Sequence, residues 1–313
     1  MLIARIRRTL VDRALVSSGD RIVSACSLGP DSVAMTHALS ALTAELGFSL
    51  VVASVDHGLR AEAGEEVARV GELCERLRLP FHPLRVRFGP GPSLQAEARN
   101  ARYGALLELA ARIQAHRVAV GHTQDDQAET VLCRLLRGAS LTGLSGIDPH
   151  RPDGVIRPLI DCRRAEVEAH IRHFDLPFVD DPSNRDRRFL RARVRHQHLP
   201  ALLDEDPQLV AHLASLADDA RGTRTFLVDE AQHLLDRAGA STGTLDLDVA
   251  MSAPPPVRRE ALRRFLHLAT GNEPNRPQRE AAERLMVQRR GTVRLSEGFL
   301  LGERQGKLHL ERG

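Results

Sequence analysis

Lysine is almost missing from this chain. Of 44 basic residues in 313, all but Lys307 are arginine, so a cation that meets a phosphate elsewhere must be Arg or His. Aromatic residues make up only 3%, with no Trp and one Tyr. That argues against nucleic-acid recognition by stacking on many rings and leaves arginine contacts to phosphate and shape. The four cysteines, Cys26, Cys74, Cys133 and Cys162, lie far apart with no Cys-x-x-Cys spacing. They suggest neither a zinc site nor a disulfide framework, and they fit a reducing compartment. No apolar run approaches the ~18 residues of a membrane span. From Met1 to Val16, apolar Leu2, Ile3, Ile6, Leu10 and Leu15 alternate with Arg5, Arg7, Arg8, Asp12 and Arg13. This is an amphipathic helix rather than a signal peptide, and the expected location is the cytoplasm.

What is present reads as an ordinary soluble protein, 42% hydrophobic and 27% charged. The length suggests two domains of roughly 150 residues each, and the net charge of +3 is too small to imply a partner. The first half alternates strands and helices. Strands are expected at Ile22 to Cys26, Leu50 to Val55, Leu84 to Phe88 and Val118 to Val120. Helices are expected after Ser32, over Glu62 to Leu77, Leu94 to Ile113 and Asp125 to Leu136. Helices between buried strands imply a doubly wound parallel sheet, with ligands beyond the carboxyl ends of the strands. The loops 27–32, 56–60 and 121–126 fall there. From Arg163 the pattern is helical: Arg163 to Phe174, Pro207 to Ala238, Val257 to Ala269 and Pro277 to Val287. Pro254, Pro255 and Pro256 read as a chain break. A small hairpin closes the chain over Thr292 to Leu295, Phe299 to Leu301 and Lys307 to Leu310. The domain boundary is expected near residues 195–207.

The most informative stretch is Ser27-Leu28-Gly29-Pro30-Asp31-Ser32. Strand, tight loop and helix start together form an anion site, because a helix N-terminus offers unpaired N–H groups and the positive end of the dipole. Ser27 and Ser32 can donate to phosphate, Gly29 lets the backbone come close, and Asp31 suits Mg²⁺ or a loop donor. A capped Gly-Pro turn is the plainer alternative. The loop is neither a Walker A loop nor Gly-x-Gly-x-x-Gly. It resembles the PP-loop of ATP pyrophosphatases, Ser-Gly-Gly-x-Asp-Ser, with Leu28 in place of the first Gly. If that position needs a positive φ, Leu is strained there.

Two further segments carry chemistry. In Gly121-His122-Thr123-Gln124-Asp125-Asp126-Gln127-Ala128-Glu129, Asp125 and Asp126 sit at a helix start and Glu129 shares a face with both. Carboxylates that close need a cation or proton between them; simple capping is the alternative. Asp56 and His57 end the second strand, where they could face a base or ribose; a loop role for His57 is equally open. Residues 185–195 hold six arginines in eleven positions, a phosphate-contacting surface or a solvated helix face. Arg99 and Arg102 flank Tyr103 as a smaller basic patch.

Together the residues resemble the tRNA(Ile)-lysidine synthetase family, within the PP-loop ATP pyrophosphatase superfamily. The matching pieces are Ser27 to Ser32, Asp56 to Arg60, Gly121 to Gly138 with Gly143-Leu144, Arg157-Pro158-Leu159, and Asp180-Asp181-Pro182-Ser183-Asn184 followed by Arg191, Arg193 and Arg195. They run in the family's order over roughly residues 20–200. The resemblance implies an α/β fold of the adenine nucleotide alpha hydrolase type with a second, smaller, mostly helical domain. It divides the chain into an ATP-binding catalytic domain, residues 1–200, and a substrate-binding domain ending in a small hairpin, residues 201–313. The further C-terminal domain of longer members is not expected here.

The resemblance also implies ATP and Mg²⁺ as cofactors, and free L-lysine and the isoleucine tRNA with anticodon CAU as partners. Two copies of the chain are compatible with it. Ser27, Leu28, Gly29, Pro30, Asp31, Ser32, Asp56 and His57 would bind ATP. His122, Asp125, Asp126 and Glu129 would act in catalysis or hold lysine. Arg99, Arg102, Arg191, Arg193 and Arg195 would contact tRNA or a reacting phosphate. The rival readings are another PP-loop tRNA-modifying enzyme, such as a thiolase or an amidating ligase, or a tRNA-binding protein whose loop Leu28 has disabled. Thiolases of that type usually need paired cysteines, and an amidating ligase fed by glutamine would need a glutaminase domain.

Overall fold

The apolar run before Ser27 becomes the central strand of a five-stranded parallel sheet. The computed structural model describes residues 1–56, 63–86, 94–179, 188–240 and 243–312. Strands β1 (Arg21–Ala25), β2 (Ser49–Asp56), β3 (Phe81–Arg85), β4 (Arg117–Ala119) and β5 (Val155–Ile156) stand in the order β3-β2-β1-β4-β5. Val23 sits in register with Val51 on one side and Val118 on the other. Chain order reverses between β1 and β4, which is where a doubly wound sheet opens a crevice for ligand.

Alternate residues of each strand face opposite ways, and both faces are covered. Ile22, Leu50 and Val52 pack with α1 (Leu2–Asp12), α2 (Pro30–Leu46), α3 (Ala63–Leu77) and α6 (Arg164–His173). Val23, Ala53 and Val118 pack with α4 (Leu94–Arg112). The third strand begins at Phe81, upstream of the expected Leu84, and includes Pro83; β3 is an edge strand, where a residue without an N–H is tolerated. Two residues of β5 are too few to show periodicity, and the sequence pattern missed them.

Beyond α5 (Gln124–Leu136), the chain passes through α7 (Leu190–Arg193), a π-helical turn (Val194–His198) and α8 (Leu199–Glu205). It divides into two compact units, Met1–Asp219 and Ala220–Gly313. The division falls inside α9 (Leu209–Arg237), beyond residues 195–207. The second unit contains α10 (Leu247–Met251), α11 (Pro255–Thr270) and α12 (Arg276–Gln288). Its sheet has four antiparallel strands in the order β6-β9-β8-β7: β6 (Thr244–Asp246), β7 (Thr292–Arg294), β8 (Phe299–Arg304) and β9 (Lys307–Arg312). The expected hairpin thus gains a strand, β6, which pairs with β9. Pro255 and Pro256 open α11, where the missing N–H groups cost nothing.

Leu28 has φ +59° and is completely buried in the main core. The left-handed backbone costs a non-glycine residue roughly 1–2 kcal/mol, while a buried leucine side chain is worth roughly 2–5 kcal/mol against truncation. Packing wins, so Leu28→Gly is expected to destabilise the fold by about 1–3 kcal/mol. Chemical denaturation of the two proteins checks this; a Leu28→Gly protein more stable than the parent would contradict it.

Candidate active site

The left-handed turn at Leu28 lets the chain leave β1 and enter α2. Gly29 has an ordinary φ of −72° and caps the helix, with Pro30 in its first turn. The positive φ does fall at Leu28, the position where the PP-loop pattern has its first Gly. The Ser32 hydroxyl donates to the Gly29 carbonyl at 2.9 Å and accepts from the Ser27 N–H at 3.0 Å. Ser32 shapes the loop, and the Ser27 side chain is the more exposed of the two.

Beside this loop the next strand end comes extremely close. A Cβ on Gly121 would stand 3.1 Å from the Asp31 backbone carbon, so a larger residue would push the two backbones apart by a few tenths of an ångström. Thr123 caps α5: its hydroxyl accepts from the Asp126 N–H at 3.3 Å, and Asp126 Oδ2 accepts from the Thr123 N–H at 2.9 Å. That occupies one carboxylate oxygen. The other, Oδ1, faces Arg164, Arg191 and Arg195 at 3.5, 3.0 and 2.9 Å. Glu129, one turn on, is fully buried. Its Oε1 accepts from Arg195 Nε at 2.6 Å and Arg164 Nη2 at 3.2 Å, and its Oε2 accepts from Arg195 Nη2 at 3.0 Å and Arg191 Nε at 3.1 Å. Asp125 turns away: its Oδ2 accepts from the Arg164 backbone N–H at 2.7 Å, capping α6 from across the cleft.

These surroundings set the charges. Burial alone would push the Asp126 carboxyl up, but Arg191, Arg164 and the cap hold it well below the usual carboxylate range. Burial, helped by Arg157, Arg99 and Arg191, pushes His122 down to about 3 against the pull of Asp126. His122 Nδ1 accepts from Arg157 Nε at 3.3 Å, so the proton of this neutral imidazole sits on Nε2. Asp31 is the opposite case. Burial and the nearby Asp126 raise its carboxyl to about 7 despite Arg164 and Arg195, and its Oδ1 is buried with no hydrogen-bond partner among the described residues.

A PP-loop domain family matches residues 3–202. A tRNA(Ile)-lysidine synthase from Synechococcus sp. is 31% identical over 293 residues, covering 92% of this chain and 89% of that protein. The chain belongs to the tRNA(Ile)-lysidine synthase family. A relative of the same name from Solibacter usitatus is 39% identical over 82% of this chain, but the match spans 59% of that protein. For one from Pseudomonas fluorescens, 43% identical, the share is 49%. The chain thus spans half to three fifths of the length of several relatives. The U34-tRNA thiolase NcsA of Methanococcus maripaludis superposes with a TM-score of 0.60 at 18% identity, over 71% of this chain and 78% of that one, a likeness of fold.

Within this member of the family, the structure brings together Asp31, His122, Asp125, Asp126, Glu129, Arg191 and Arg195. Arg191 and Arg195 are four residues apart and share a face; Arg193 instead donates to the Arg188 carbonyl at 2.9 Å. Asp56 ends β2, with Arg85 Nε at 3.5 Å from its carboxylate. Arg99 and Arg102 gather over the Tyr103 ring. His57 and the Asp180 to Asn184 element lie outside the described residues. Sequence reasoning missed Arg164, and it placed Arg157 in the family pattern without a role in the site. Arg163-Arg164 opens α6 at the end where the dipole disfavours cations, and that anomaly signals an acidic partner across the cleft.

The orphaned Asp31 oxygen fits a divalent cation shared with substrate phosphates, the usual way Mg²⁺ is held. The raised carboxyl makes such binding pH-dependent. Below pH 7 Asp31 is protonated and must release a proton to take a cation, so Mg²⁺ affinity should fall about tenfold per unit under pH 7. Stability runs the other way. The ligand-free fold keeps its full stability below the ordinary carboxylate range and loses it as pH rises from there through about 7. Asp31→Asn should abolish the pH dependence of Mg²⁺ binding and stabilise the ligand-free protein at pH 8 by about 4 kcal/mol. Calorimetry and thermal melts check both signs; an Asp31→Asn protein that melts lower than the parent at pH 8 would contradict the assignment.

Proposed function

We propose that this chain ligates free lysine to carbon 2 of the wobble cytidine in the isoleucine tRNA with anticodon CAU, using ATP with Mg²⁺. One observation carries the reading beyond family membership: a carboxylate pair, Asp126 and Glu129, shares Arg164, Arg191 and Arg195, and Asp126, Arg164 and Arg195 lie close enough to Asp31 of the loop 27–32 to shift its charge. The cytidine carbonyl oxygen attacks the α-phosphorus, and the bond to pyrophosphate breaks. The lysine ε-nitrogen then forms a bond to carbon 2, and AMP leaves with the former carbonyl oxygen. Residues 27–32 would receive the phosphates, and Asp31 would hold the cation, which would supply charge to offset the phosphates.

The amine has to shed a proton, at a cost of about 4–5 kcal/mol at pH 7. Asp126 and His122 are held too acidic to take it at neutral pH. In our reading the surplus of positive charge does this work. Three guanidiniums, of Arg164, Arg191 and Arg195, face the two carboxylates, and a desolvated amine among like charges has a lowered pKa. Lysine and arginine then compete for the same oxygens. ATP draws Arg191 and Arg195 toward its phosphates, the freed carboxylates receive the α-ammonium of lysine, and the ε-amine, left beside the guanidiniums, releases its proton to solvent before it attacks carbon 2.

A thiolase reading draws no support from the cysteines, all of which are buried. Burial pushes the thiol of Cys26 up and that of Cys74 to about 12, away from nucleophilic thiolate.

Labelled lysine should enter a CAU-anticodon isoleucine tRNA transcript only with ATP present. Glu129→Gln should raise the lysine KM about tenfold or more while the ATP KM moves less than about threefold. Parallel loss of ATP binding would contradict this division of labour.

A further inference from the structure

Three guanidinium groups converge on one ring. The Cζ atoms of Arg99, Arg102 and Arg151 lie 5.3, 5.7 and 5.0 Å from the centroid of Tyr103. Arg157 joins them, 3% exposed, donating to His122 Nδ1 and to the Asp148 carbonyl and interacting with Tyr103, Arg151 and Arg99. Only Arg151 has a carboxylate partner among the described residues, Asp153 at 2.5 Å. Tyr103 is itself buried, with the Arg157 guanidinium beside its hydroxyl.

Like charges do not gather without cause. The negative face of one ring attracts a cation but cannot offset several, and Arg157 has given up water without gaining a counter-ion. Burial, together with the neighbouring positive charge, lowers the pKa of both Arg102 and Arg157. What completes such a cluster is an anion with several oxygens, received by the forked donors of arginine.

The position separates this cluster from the loop 27–32. Tyr103 belongs to the sheet face covered by α4, whereas the loop 27–32 opens α2 on the other face. The link between them is His122, bonded to Arg157 on one side and close to Asp126 on the other. The other phosphate-bearing substrate in the proposed reaction is the RNA. We propose that Arg99, Arg102, Arg151 and Arg157 around Tyr103 form a seat for a backbone phosphodiester of the tRNA strand beside the target cytidine. This rests on the tRNA reading above.

The test is tRNA affinity against salt for the full chain, with ATP and inorganic pyrophosphate as separate probes. Arg99→Ala and Arg151→Ala should each weaken binding of the isoleucine tRNA transcript about fivefold and flatten the log–log salt slope by about 0.7–0.9. Affinity for ATP and pyrophosphate should stay unchanged. Asp153→Asn, which frees Arg151, should act with the opposite sign and tighten RNA binding. Unchanged RNA slopes overturn the proposal, as does a loss that appears in the pyrophosphate or ATP arm. Lysine incorporation by the unaltered chain distinguishes the two levels. Incorporation with unchanged slopes removes the phosphodiester seat alone. Altered slopes without incorporation keep the seat and remove the proposed reaction.

Discussion

Glu129 is wholly buried, and a buried carboxylate must be answered by positive charge. Leaving one unpaired costs roughly 3–5 kcal/mol, a large share of a domain's stability. The answer comes from three separate segments: Arg164 on α6, Arg191 on α7 and Arg195 in the π-helical turn. One carboxylate thereby fastens the PP-loop sheet to the helices that follow it. Asp126 adds a second anchor with one oxygen and caps α5 with the other. Gly121 lets the chain beyond β4 pass close to the Asp31 backbone, where a Cβ would meet it at 3.1 Å.

The same cluster sets the proposed chemistry. Its oxygens are saturated by arginine, so a cationic substrate reaches them only by displacing guanidinium groups. A polyphosphate offers those groups an alternative partner of higher charge. The acidic and basic ends of the cleft are then coupled: what binds at the loop 27–32 decides what Asp126 and Glu129 can hold. Asp31, raised to about 7, would make that proposed coupling sensitive to cation and proton.

Much of this was legible in the residues. The buried runs around Val23, Val52 and Val118 announced a parallel sheet, and the helix start at Asp125 and Asp126 announced its cleft. The three-residue spacing of Asp126 and Glu129 placed them on one face, and both meet the same arginines. Local pattern does not carry contacts made over long separations. Arg164 reaches Glu129 across 35 positions and Arg195 across 66, so nothing in the helix periodicity of either segment revealed them. Leu28 posed a question that only packing could answer, since a left-handed backbone and a buried side chain pull in opposite directions. Strands β5 and β6 were too short to read, with two and three residues.

Lysine binding measured by calorimetry, with and without a non-hydrolysable ATP analogue and Mg²⁺, tests the account most directly. If arginine holds Asp126 and Glu129 until phosphate arrives, lysine should bind at least tenfold more tightly when the analogue is present, a coupling of about 1.4 kcal/mol. By reciprocity, lysine should tighten the analogue by the same factor. Equal lysine affinity in the two states would contradict it, because the carboxylates would then be open to lysine with the arginines still in place.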